Sequence, residues 1–368
     1  MGVSVDKRHH FVSLDLLRGV AAIAVLFLHW FEGNGNTWFH NGLLAVDFFF
    51  LLSGFVMAFS YTERLKQGMR FGEFFLLRLI RLYPMILLGI AIGFVRFAMR
   101  TLATHDTSMP IPWLLLKALQ NVLMIPDISN GLNSDMFILN LAVWSLFFEF
   151  IAYILFALGL YKLRDNWLYL IIAVTGVGVW AWMFQEFGPT KAILPFLSFE
   201  KYGYVSALTR VLFSFTLGVL VFRIYQRHPI KVSLNGWFMA LVLAVFLVMP
   251  KEVGEPTISF LIVAFGFPAL IMYTASSQLP SKTVPLAKSL GDLSYPLYLV
   301  HTPFIWLAGG LFKMVPIARG IPNIWYGAFT IPGAIVLGYV ALKFYDEPVR
   351  AWLNGLYRQA RSKVVQSA

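Results

Sequence analysis

Apolar residues run through this chain in blocks long enough to cross a bilayer, separated by short polar segments. A transmembrane helix needs about 20 mostly apolar residues, and the blocks that meet this requirement are 12–31, 42–61, 76–99, 137–160, 167–186, 204–224, 234–250, 258–276, 292–312 and 325–345. The pattern predicts an all-α fold, a polytopic transmembrane helical bundle of about ten spans. One further apolar stretch, IPWLLLKALQNVLMIP at 111–126, is short, carries Lys117 and is bounded by prolines at both ends. If it does not span, 20 of the 29 Lys and Arg collect on one face, as cytoplasmic loops require. Counting it as a span would invert every later loop and put the basic tail outside. The expectation is therefore an interfacial or re-entrant helix at 111–126, both termini cytoplasmic, and a cytoplasmic tail at 346–368.

Composition sharpens this picture. Of the 368 residues, 59% are hydrophobic, 17% aromatic and 13% charged, against roughly 25% charged in soluble domains. The net charge of +11 would suggest nucleic acid in a soluble protein, but here its placement reads as membrane topology, so no nucleic-acid partner is expected. The chain has no cysteine, which excludes disulfides, thiolate metal sites and an acyl-cysteine intermediate. Lys7 and Arg8 before an apolar run imitate a secretory signal, yet Asp15 and Arg18 interrupt that run and no A-x-A site follows, so an uncleaved first span is expected. The longest polar loops, near 100–136 and 187–203, fall on the outer face and leave no room for a soluble domain. Residues 1–368 are expected to form a single integral-membrane domain in the cytoplasmic (plasma or inner) membrane.

Ionisable groups at membrane depth then mark the candidate chemistry, because each costs about 2.5–3.5 kcal/mol at a helix centre even on the mildest scales. Arg18 and His29 lie eleven residues apart in the first span, about 16 Å along a helix axis and close to three full turns, so on nearly the same face. His29 beside Trp30 has a plain alternative, snorkelling at the outer interface. Asp47 opens VDFFFLLSGF near the outer end of the second span, Glu149 sits mid-span in WSLFFEF, and His301 closes SYPLYLVH nine residues after Asp292. Together these imply a shared polar cavity. Arg78 and Arg81 in RLIRLYP share one helix face and read either as positive-inside anchors or, with Arg18, as a phosphate clamp. Arg96 and Arg210 read as helix bridges. Ser53-Gly54, Tyr83-Pro84 and Ser294-Tyr295-Pro296 are expected to interrupt their spans beside the cavity.

Six blocks, LDLLRGVAAIAVLFLHW, GLLAVDFFFLLSGF, RLIRLYP, WSLFFEF, SYPLYLVH and DEPVR at 346–350, resemble in composition and order those of the membrane-bound acyltransferase 3 family. Members O-acylate cell-surface polysaccharides, lipid-linked sugars and some macrolides. Their hallmark, a basic residue, ten intervening residues and a histidine, is matched by Arg18 and His29. The resemblance implies an acyl-CoA donor reached from the cytoplasm and an acceptor hydroxyl met near the outer face, here in a stand-alone type without a fused esterase-like domain. On this reading Arg18, Arg78 and Arg81 hold the phosphates of acyl-CoA, most simply acetyl-CoA, and the acceptor is a carbohydrate or glycolipid. His29 is the general base or an acyl carrier, since a neutral imidazole, whose unperturbed pKa is about 6.5, is suited to deprotonating a hydroxyl. Glu149 orients the imidazole, with Asp47 its rival for that task. Ser53, Tyr295, Tyr298 and His301 line the cavity or stabilise the oxyanion. No metal is required, and lipid is the remaining partner. A proton-coupled secondary transporter would use the same buried groups, but it predicts internal symmetry between two halves, and the motif blocks show none.

Overall fold

The computed structural model describes residues 11–32, 38–104, 109–127, 136–187, 203–232, 234–249, 255–314 and 323–367. The expectations attached to Lys7 and Arg8, and to parts of the loops near 100–136 and 187–203, lie outside the described residues. Each predicted apolar block carries a helix. The order is α1 (Val12–Glu32), α2 (Ala45–Lys66), α3 (Phe71–Thr104), α4 (Ile111–Val122), α5 (Val143–Leu158), α6 (Asp165–Phe187), α7 (Tyr204–Arg227), α8 (Gly236–Val248), α9 (Pro256–Leu261), α10 (Phe267–Ala275), α11 (Val284–Met314), α12 (Asn323–Ala341) and α13 (Glu347–Ser367). Among the described residues seven helical segments are long and apolar enough to cross a membrane, and α5 and α8 are shorter apolar helices. The stretch at 111–126 forms α4, whose 12 residues fall well short of the roughly 20 a span needs. Its Lys117 turns inward to Asp127 at 2.5 Å, while Leu115, Leu116 and Leu119 face outward.

Helices in lipid gain little from the hydrophobic effect and pack through close approach at small residues. Two contacts show this. Between α2 and α7, a Cβ on Gly54 would stand 2.1 Å from the Phe215 carbonyl oxygen, and one on Gly218 would stand 2.0 Å from that of Leu51. Between α1 and α11, a Cβ on Gly291 would meet the Asp15 Cβ at 2.3 Å and one on Gly19 the Leu290 Cβ at 2.6 Å. The second contact brings Asp15 and Arg18 to the cavity that Tyr295 and Tyr298 of α11 also line.

The expected interruptions are not breaks. α2 runs through Gly54, α3 through Pro84, and α11 through both Pro296 and Pro303. Proline removes one ladder donor and frees the carbonyl four residues back; for Pro303 that is Leu299, and Asn140 Nδ2 donates to it at 2.9 Å. Tertiary packing thus repairs what the local sequence would disrupt. Two π-helical turns, Ile262–Gly266 and Leu342–Asp346, interrupt α-helical geometry instead.

Candidate active site

Residues of α1, α2, α3, α5 and α11 enclose a cavity of about 440 Å³. Arg18 comes from α1, Ser53 from α2, Arg78 and Arg81 from α3, Glu149 from α5, and Tyr295 and Tyr298 from α11. On α5 the side chains of Ser145, Glu149 and Tyr153 recur every fourth residue, hence on one face, and all three line the cavity. Glu149 Oε1 accepts from Ser53 Oγ at 2.6 Å and from Tyr153 Oη at 2.5 Å. Ser145 Oγ donates to the Ala142 carbonyl at 3.0 Å and lies 2.8 Å from Tyr298 Oη. Tyr295 Oη donates to the Leu82 carbonyl at 2.5 Å, tying α11 to α3.

The three arginines differ in how far the protein already satisfies them. Arg18 pairs with Asp15 at 3.2 Å. Arg78 donates to Tyr61 Oη at 2.6 Å and lies over that ring at 4.8 Å, while its Nε is buried with no hydrogen-bond partner among the described residues. Arg81 makes no hydrogen bond or ion pair among the described residues, and the charges around it are Arg18, Arg78, Arg350 and the carboxylate of Asp346. A guanidinium cluster of one sign at the edge of an apolar bundle is stabilised by an anion with several acceptor oxygens.

His29 lines a separate, smaller chamber of about 20 Å³ together with His301, Arg210 and Trp144. Val46 and Tyr298 line both spaces, so one wall separates the arginine cavity from the histidine chamber. The His29 and His301 rings stack with centroids 5.3 Å apart at 27°. His301 is buried, and because a carbonyl only accepts, its Nδ1 donates to Leu297 O at 3.1 Å, leaving Nε2 to accept from Thr302 Oγ1 at 2.9 Å. The His29 side chain keeps 24% of its surface exposed, and its Nδ1 lies 3.8 Å from Glu32 Oε2.

Two carboxylates expected near His29 are placed elsewhere. Asp47 is fully buried and grips Arg210, with Nε at 3.2 Å and Nη2 at 2.7 Å, because an arginine at this depth needs a bidentate partner. Glu149 lies on the arginine cavity, held by α2 and by its own helix, and the carboxylate beside His29 is that of Glu32, one turn further along α1. Asp292, noted with His301, is exposed. Sequence reasoning missed Asp15, Ser145 and Tyr153 on the cavity, Thr302 and Glu32 at the histidines, and Asp346 with Arg350 behind Arg81. Spacing held the signal for some of them: Ser145 and Tyr153 flank Glu149 by four residues, and Asp15 precedes Arg18 by three. Among the described residues no group of three or more His, Asp and Glu side chains is arranged to hold a metal ion.

Residues 11–343 match the acyltransferase domain that defines the acyltransferase 3 family. The chain is also similar to protein 2 in the picA locus of Rhizobium radiobacter, at 31% identity over 190 residues, covering 48% of this chain and 95% of that one. No solved structure matches it. The family match favours an enzyme over a secondary transporter, and with the bundle of apolar helices it leads to one conclusion: the chain belongs to the acyltransferase 3 family and is an integral-membrane O-acyltransferase.

Proposed function

We propose that this enzyme moves an acyl group, most simply acetyl, from acyl-CoA bound at the arginine cavity to a hydroxyl of an extracytoplasmic or lipid-linked carbohydrate at His29. The observation that carries this reading is Arg81, which lacks any hydrogen bond or ion pair among the described residues and faces the 440 Å³ cavity beside Arg18 and Arg78. Such a cluster suits the phosphates of a nucleotide donor. The axial rise of about 16 Å from Arg18 to His29 is of the reach of an extended pantetheine arm. In this reading the arm runs past Glu149 to Tyr298, and the wall of Val46 and Tyr298 opens on donor binding so that the thioester meets His29. The bundle has about ten spans with both termini cytoplasmic in the inner or plasma membrane, and α4 lies at the membrane surface.

In the reaction, His29 Nε2 takes the proton of the acceptor hydroxyl as its oxygen bonds to the thioester carbonyl carbon. The tetrahedral intermediate collapses, the carbon–sulfur bond breaks, and the thiolate recovers the proton from the imidazolium. Tyr298 stands between the two spaces; its hydroxyl, which donates to Ser145 Oγ at 2.8 Å, is assigned to turn its O–H to the oxyanion as charge develops there. Membranes supplied with radiolabelled acetyl-CoA test this directly. Wild type is expected to label surface glycan, and His29→Ala to lose ~10²-fold or more of the transfer rate while keeping its melting temperature. Normal transfer by His29→Ala would remove the histidine from the mechanism.

A further inference from the structure

The π-helical turn Leu342–Asp346 and the start of α13 bring a fourth arginine to the cluster. Arg350 Nη2 pairs with Asp346 Oδ2 at 2.8 Å, and the Asp346 side chain is 2% exposed. The remaining Asp346 oxygen, Oδ1, and Arg350 Nε are both buried without a hydrogen-bond partner among the described residues. Both residues are charged neighbours of Arg81, which makes no hydrogen bond or ion pair among the described residues. A buried carboxylate oxygen and a buried guanidinium N–H left unmatched are costly, and π-bulges of this kind concentrate at functional sites. The three groups combine two cationic donors with one anionic acceptor. A bare phosphate satisfies the donors but is repelled by the acceptor; a phosphate with a hydroxyl beside it satisfies all three.

Resting on the acyl-CoA reading above, we propose that Arg81, Arg350 and Asp346 form a subsite for the donor's phosphorylated ribose. The 3′-phosphate accepts from Arg81 and from Arg350 Nε, and the neighbouring 2′-hydroxyl donates to Asp346 Oδ1. Arg18 and Arg78, which line the cavity together with Arg81, are left for the diphosphate. Asp346 also holds Arg350 through its second oxygen, so it both orients the cation and reads the sugar.

Purified enzyme assayed with acetyl-CoA and with acetyl-3′-dephospho-CoA tests the subsite. Wild type is expected to prefer the 3′-phosphorylated donor by ~10-fold or more in kcat/KM, carried by KM, as for a charge-assisted hydrogen bond. In Arg350→Gln that preference falls to near one, and in Arg350→Lys it is partly restored. Equal use of the two donors by wild type, or a preference retained in Arg350→Gln, overturns the subsite while leaving the acyl-CoA reading intact. Transfer from neither donor overturns both. A binding readout guards against variants that fold poorly: adenosine 3′,5′-bisphosphate should raise the melting temperature of wild type more than adenosine 5′-monophosphate does, and equal shifts overturn the subsite.

Discussion

Arg210 and Arg81 are two arginines of one membrane bundle with opposite surroundings. Arg210 is 1% exposed and meets a partner on every side. Asp47 takes its guanidinium bidentately, the Leu43 carbonyl accepts from Nη2 at 3.0 Å, and the Trp182 and Trp144 rings lie 3.9 and 5.5 Å from its centre. Arg81 has no such partner among the described residues, and three of its four charged neighbours are also arginines. Because an ionised group at membrane depth is expensive unless paired, a satisfied arginine reads as a bolt between helices. An unsatisfied one facing a cavity reads as half of a binding site.

The sharpest way to break this comparison is to strand the bolt. Asp47→Ala leaves Arg210 buried and unpaired, and it is expected to destabilise the protein by about 3–5 kcal/mol, seen as a large fall in melting temperature in detergent. A wild-type melting temperature would mean that Arg210 finds other partners and that pairing does not separate the two sites. Next in size is Arg81→Gln. Removing one charge-assisted contact raises the donor KM by ~10-fold or more, while the melting temperature stays level or rises because like-charge repulsion is relieved. A fall as deep as that of Asp47→Ala would make Arg81 structural. The smallest effect belongs to replacing both members of the bolt with Asp47→Leu and Arg210→Met. With no charge left stranded, the double variant should recover most of the stability lost by Asp47→Ala, read as the difference between their melting curves.

The same contrast explains how the candidate residues fared in the sequence. Asp47 and Glu149 are equivalent there, rivals for one task beside His29, and Arg210 reads as a helix bridge with no partner named. Their roles separate only when α2 packs on α7, which joins Asp47 to Arg210, and when α5 packs on α2, which joins Glu149 to Ser53. These partners lie 163 and 96 residues apart, beyond any local pattern. Proline positions misled for a related reason. Pro84 and Pro296 read as breaks, but α3 and α11 run through them, and at Pro303, further along α11, Asn140 caps the freed Leu299 carbonyl from 159 residues away.

The order of apolar blocks, the length of each and the charges inside them are properties of the chain itself. They determined that it is an all-helical membrane protein and that Arg18, His29, Asp47, Arg78, Arg81, Glu149 and His301 are its unusual groups, since bilayer thickness and the cost of a charge in hydrocarbon act on each segment separately. Which charge meets which is a matter of helix packing. Only the tertiary structure decided that the arginines and Glu149 share one cavity, that His29 stacks on His301 in another, that Tyr298 stands between them, and that Asp346 and Arg350 return from the end of the chain to flank Arg81. Those contacts depend on close approach at Gly54, Gly218, Gly19 and Gly291, where backbones from distant segments meet.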